Sequence, residues 1–276
     1  NFRFFHYKFL AIKMFKKIRS FIGKLLPENI QMVIIIFLSD TFWTLRKYFL
    51  GADIEYPKDF LANWKSIKHK SSQDRERNFN MYQMMKLHNE FFKDKQTNVI
   101  EFGVDRGGTI TTISKFVKPD TRIFALDSFG VYSDNIKKNV TDFDPHYQGS
   151  YVPFTKQTRF KDFDYKILEQ ELNKDLLNKN CNLKLICCHF PDSLNENEKN
   201  EISPIKYSFA HLDFDLYTPQ LEAIKFILPR LEKNAILLID DYNLINQEGC
   251  KKAVMESNIN FNRCYETQSG QLICFT

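Results

Sequence analysis

A doubly wound α/β fold with a mostly parallel sheet, closed by a C-terminal antiparallel hairpin, is predicted by three observations. From about residue 97 short apolar runs alternate with helical patterns, the pattern of parallel strands joined by crossover helices. The chain then ends in two strand-like segments flanking Ser269-Gly270, a tight hairpin turn. Acidic residues also recur just past the apolar runs, where open α/β sheets bind their ligands.

The elements follow in order. Residues 1–70 read as a basic, apolar helical arm, and residues 71–276 as the main domain. In the arm, Met14 opens a stretch with Phe15, Ile18, Ile22 and Leu25 at helical spacing and lysines between them. Met14 is therefore the expected native start. The apolar run Met32–Leu38 is closed by Asp40, too soon for a spanning helix of about twenty residues, and no good cleavage site follows it. The arm thus reads either as a helix packing on the main domain or a second subunit, or as an amphipathic helix on a membrane surface. In the main domain, strands are expected at Asn98–Val104, Arg122–Asp127, Leu183–His189, Ser208–Asp213 and Ala235–Asp240. Helices are expected at Thr109–Val117, Asp164–Asn178, Pro219–Leu231 and Gly249–Glu256. Asn262–Thr267 and Gln271–Phe275 form the hairpin. Phe129–Lys161 has no clear period and reads as a functional loop over the site.

Composition narrows the class. With 43% hydrophobic and 26% charged residues over 276 positions, the chain is a folded globular protein and not a disordered or fibrous one. Residues 1–50 hold nine Lys/Arg against Glu28 and Asp40, an excess of +7, while the remainder carries −2. A nucleic-acid binder would spread basic charge over its main domain, so that partner is not expected. Six cysteines without metal-site spacing read as free buried thiols in a reducing compartment.

The residues past the strands carry the chemistry. Glu101-Phe102-Gly103-Val104-Asp105-Arg106-Gly107-Gly108-Thr109 joins a strand to a helix whose free N–H groups and glycines let a ligand approach. The spacing is not that of a dinucleotide fold, and Glu101 would repel phosphate while suiting the cationic S-adenosylmethionine. Asp127, followed by Ser128 and Phe129, can accept both ribose hydroxyls. Asp192 and Ser193, beside Phe190, suit an adenine edge. Asp213 and Asp215 end one strand, Asp240 and Asp241 the next. Four carboxylates in one cleft are unfavourable without a cation, and oxygen ligation points to Mg²⁺, Mn²⁺ or Ca²⁺. If the strand continues, Asp213 and Asp215 share a face and Phe214 points away into the packing. His211, within the strand, reads as a core histidine.

The segments EFGVDRGGT, ALDSF, FPDSL, AHLDFDLYTP and LLIDDY, in this order, resemble the macrocin O-methyltransferase (TylF-like) family from about Ser71 to the C-terminus. The resemblance implies a class I methyltransferase fold and transfer of a methyl group from S-adenosylmethionine to a sugar hydroxyl, with Mg²⁺ or Mn²⁺ bound. It implies Asp213, Asp240 and Asp241 as metal ligands and Asp215 as general base. Asp127 would bind ribose, and Glu101 with Gly103 the methionine end; Val104, Gly107, Gly108 and Thr109 complete that loop. Lys70-Ser71-Ser72 resembles the family's lid, which adds Ser72 to the cofactor contacts. Leu216 stands where more distant catechol O-methyltransferases place a lysine, so no lysine base is expected. Two rivals remain: a glycosyltransferase using Asp213-Phe214-Asp215 as a D-x-D motif, and a non-catalytic binding protein of the same fold. The expected acceptor is a sugar or glycan, the expected assembly a dimer, and the expected location the cytoplasm, at the inner membrane face if the arm binds lipid.

Overall fold

The structure, a computed structural model, describes residues 55–132, 138–147, 159–244, 247–260 and 263–276. The first 54 residues of the expected arm and much of the loop after Phe129 lie outside the described residues. Two helices, α1 (Lys58–Ile67) and α2 (Arg75–Phe91), precede the sheet. The alternation then runs β1 (Thr97–Phe102), α3 (Gly108–Phe116), β2 (Thr121–Asp127), α4 (Tyr165–Leu177), β3 (Asn182–Cys187), α5 (Glu196–Ile202) and β4 (Tyr207–Leu212). It ends with α6 (Tyr217–Ile227), β5 (Leu231–Ile239), α7 (Glu248–Met255), β6 (Cys264–Glu266) and β7 (Leu272–Phe275). The sheet has seven strands in the order β3-β2-β1-β4-β5-β7-β6. β1 to β5 are parallel, and β7 is antiparallel to both β5 and β6. This is the predicted doubly wound sheet with its terminal hairpin.

Strand alternation divides the core into two layers. Val99, Ile123, Phe209 and Ile236 pack with Met81 and Met85 of α2, Ile113 of α3 and Leu172 of α4. Ile100, Phe102, Leu212 and Leu237 pack on the other face with Ile202 of α5, Ile224 of α6 and Val254 of α7. Packing carries across the boundary expected at residue 70. Phe60, Trp64 and Ile67 of α1 are buried with Phe79 and Tyr82 of α2, each such side chain contributing roughly 1.5–3 kcal/mol relative to exposure.

Three expectations need correction. α6 begins at Tyr217, before Pro219, because Asp144 from a distant loop accepts the Tyr217 N–H at 2.8 Å and caps the helix. β5 begins at Leu231 and not at Ala235, since Leu231 pairs with Tyr207 across a register shift. The cysteines are not all free. Cys264 and Cys274, directly opposed in the hairpin ladder, form a disulfide, while Cys181, Cys187, Cys188 and Cys250 are free.

Candidate active site

The carboxyl ends of β2, β1, β4 and β5 lie side by side, and the strand order reverses between β1 and β4. A crevice opens at such a reversal in doubly wound sheets. Gly103, Asp127, Asp213 and Asp240 each stand one step beyond or at the end of these strands. Leu212 pairs with Ile239, so Asp213 lies level with Asp240, as expected.

The glycine run owes its composition to backbone packing. A Cβ on Gly103 would lie 2.0 Å from the Asp213 carbonyl oxygen, and one on Gly108 would meet Ser71 at 2.5 Å. Gly103 therefore lets β1 and β4 close on each other, and Gly108 lets the Ser71 segment lie against the start of α3. Val104 and Thr109 are buried beside them. Gly107, in the left-handed region, caps α3. Asp127 ties this loop down: its Oδ2 accepts the Val104 and Asp105 N–H groups at 2.8 Å each, and Oδ1 accepts that of Phe129. Burial nevertheless pushes the Asp127 carboxyl up to about 6 against these hydrogen bonds. Ser128 is partly exposed at the crevice, whereas Phe129 turns inward and stacks on Tyr165. Asp192 is exposed, and the Ser193 hydroxyl accepts the His189 N–H within the same turn. Ser72 is exposed beside buried Ser71.

Glu101 is fully buried, and its Oε1 accepts a hydrogen bond from His211 Nδ1 at 2.8 Å. Glu101 is thus spent at least in part on the neighbouring strand, and His211 is buried and paired through Nδ1, while its Nε2 has no hydrogen-bond partner among the described residues.

The four aspartates converge. Ligand atoms of Asp213, Asp215 and Asp241 lie within 4.8 Å of one another, as do those of His211, Asp213 and Asp240. β4 stops at Leu212 and Asp215 is in the left-handed region with φ of 60°. The two aspartates therefore meet through a turn and not through the continued strand that was anticipated. Phe214 does point into the packing, against Phe102 and Phe190. Burial, then Asp240 and Asp241, push Asp213 well above the ordinary carboxylate range. Burial and Asp241 do the same to Asp215. Burial also raises Asp240, with Arg77 opposing it.

Sequence reading missed the groups that face these carboxylates. Arg77 of α2 is buried and pairs with Asp240 at 3.2 Å and Asp241 at 2.9 Å. Burial disfavours its charge, but Asp240 and Asp241 more than offset this and hold its pKa above the ordinary value. Gln73 Nε2 donates to Asp213 Oδ2 at 3.1 Å and to Asp240 Oδ2. Gln247 Nε2 donates to Asp215 Oδ1 at 3.2 Å and to the Tyr147 hydroxyl at 3.0 Å. Among the described residues these four carboxylates thus face the Arg77 guanidinium and the Gln73 and Gln247 amides. A predominantly oxygen donor set with a surplus of negative charge fits a hard divalent cation.

A Rossmann-like sheet closed by a C-terminal antiparallel hairpin, with an acidic centre at its topological switch, is the class I methyltransferase arrangement. The chain belongs to the macrocin-O-methyltransferase (TylF) family, whose profile matches residues 80–262. Among solved structures it is similar to CalS11, described as a TDP-rhamnose 3'-O-methyltransferase of calicheamicin biosynthesis. That structure matches with 17% identity over 86% of this chain and 94% of CalS11 and a TM-score of 0.51, and a second CalS11 structure with 19% identity over 86% and 92% and a TM-score of 0.56. It is also similar to the O-methyltransferase NovP, with 18% identity over 75% of this chain and 81% of NovP and a TM-score of 0.50. At these identities the structural matches speak to the fold. No curated protein sequence matches the chain.

Proposed function

We propose that the protein transfers a methyl group from S-adenosylmethionine to a hydroxyl of a sugar, most simply a nucleotide-linked one, with Mg²⁺ bound at Asp213, Asp240 and Asp241. The observation that carries this reading is the convergence of four aspartates, Asp240 and Asp241 buried and Asp213 and Asp215 partly so, at the strand-order reversal in a chain of this family. The TDP-sugar named for CalS11 supports the acceptor class.

Each residue then has a task. The loop from Glu101 to Thr109 lines the donor pocket, with Ser72 above it and Asp192 and Ser193 at the adenine end. Asp127 accepts from the donor's ribose. S-Adenosylmethionine supplies an electrophilic methyl group on a sulfonium. Mg²⁺, when bound, lowers the pKa of the acceptor hydroxyl and helps fix its position. Asp215, beside the cation ligands, accepts the hydroxyl proton as general base. Gln247, which also donates to the Tyr147 hydroxyl, holds that carboxylate in place. The acceptor oxygen then bonds to the methyl carbon as the carbon–sulfur bond breaks, and catalysis is mainly positioning.

Among the described residues no helix is long and apolar enough to cross a membrane. The basic excess of residues 1–50 supports a cytoplasmic enzyme working at an anionic membrane face, and the apolar stripe of the same segment supports a dimer contact. The deciding experiment is methyl transfer from labelled S-adenosylmethionine to a panel of TDP-, GDP- and UDP-sugars, with and without Mg²⁺. Transfer that needs the cation is expected. Transfer unaffected by chelation would remove the metal, and no transfer to any sugar would remove the acceptor class.

A further inference from the structure

Gln73 is 2% exposed and stands inside the acidic centre. Its Nε2 bridges Asp213 and Asp240, the two carboxylates that the reading above gives to the cation. Its Oε1, on the same amide, is buried with no hydrogen-bond partner. A buried carbonyl without a partner is costly, by about 1–3 kcal/mol. The main chain of Gln73 is fixed by its neighbour: Ser71 Oγ accepts the Gln73 backbone N–H at 3.1 Å and donates to the Gln73 backbone carbonyl at 3.2 Å. The side chain therefore starts from a fixed backbone beside the centre.

A glutamine amide presents nearly the same shape after a half-turn about its last bond, with donor and acceptor exchanged. The N–H side complements two carboxylates. The oxygen side complements a cation. We propose that Gln73 is a fourth protein ligand of the divalent site: its amide donates to Asp213 and Asp240 when the site is empty, and turns to present Oε1 when the cation enters. The inference rests on the metal reading above and adds to it a residue outside the aspartate motifs.

The test uses the full chain and Mn²⁺ alone, followed by electron paramagnetic resonance of the free ion and by calorimetry. Wild type is expected to bind, and Gln73→Leu to bind at least about tenfold more weakly, because an oxygen ligand is lost. Tighter binding by Gln73→Leu would mean that the amide only competes with the cation, and would overturn the proposal. A crystal structure of the Mn²⁺-loaded wild type gives a second readout that does not depend on the variant folding. Oε1 within bonding distance of the metal supports the proposal; Nε2 still facing Asp213 and Asp240 defeats it. Wild type that binds no Mn²⁺ would instead defeat the metal reading itself, a result distinguishable from unchanged binding by Gln73→Leu.

Discussion

Asp215 and Asp241 both hold a left-handed backbone, with φ of 60° and 58°. Aspartate tolerates this region better than bulky or β-branched residues, and the turn brings both carboxylates toward Asp213. Their assigned tasks separate on mutation. Asp213→Asn should weaken Mg²⁺ affinity, with activity partly recovered by more Mg²⁺. Asp215→Asn should keep cation and donor affinity but lose turnover by about 10²–10⁴-fold; steady-state kinetics with calorimetry check both. Arg77 belongs at this scale too. Arg77→Met removes the one guanidinium facing Asp240 and Asp241, and leaving buried charges unpaired costs roughly 3–5 kcal/mol. Thermal denaturation should show a lower Tm without cation and a larger rise on adding Mg²⁺ than wild type shows. The aspartates were legible as motifs because each pair is contiguous or separated by one residue. Gln73 and Arg77 were not, since their partners lie 140 to 167 positions away.

The strands were legible as apolar runs because their burial is continuous, as in Tyr207–Leu212, where every residue is buried. α2 was not, because its inner face is polar as well as apolar: Glu76, Arg77, Asn78 and His88 are buried among Phe79, Met81, Tyr82 and Met85. A reading of hydrophobic period cannot see such a face. His88 shows what the polar face does. Its Nε2 is 2.8 Å from the Ser208 hydroxyl of β4, joining helix to sheet. Burial lowers its pKa to about 4, so the folded protein holds this ring neutral while the unfolded chain protonates near 6.5. Its contribution is complete above pH 6.5 and is lost as pH falls from there toward 4, up to ~3 kcal/mol if the whole shift is realised. Because the raised carboxyls of Asp127 and the acidic centre act in the opposite sense, the expected outcome is a difference: in urea denaturation across that range, His88→Gln should lose less stability, or gain more, with acid than wild type does.

For the molecule as a whole, α1 is the outermost described helix that buries aromatic side chains against the domain. Removal of residues 1–54 should leave a folded domain that still binds S-adenosylmethionine. Removal of residues 1–70 should expose Phe79 and Tyr82 and lower the Tm by several degrees or yield insoluble protein, as light scattering and thermal melts would show. The doubly wound order was legible because the strands and four of the helices between and after them announce themselves locally. The placement of Ser71 against Gly108 and of Asp213 against Gly103 was not, since it exists only once distant segments meet. That dependence also bears on how the protein is made. During synthesis residues 71–108 emerge long before Asp213 and Asp240, so no N-terminal intermediate on the ribosome holds the assembled cation site. Contacts of such sequence separation form late and slowly. A divalent cation should therefore prolong the lifetime of the finished protein by slowing its unfolding, while leaving the early steps of folding at the same speed.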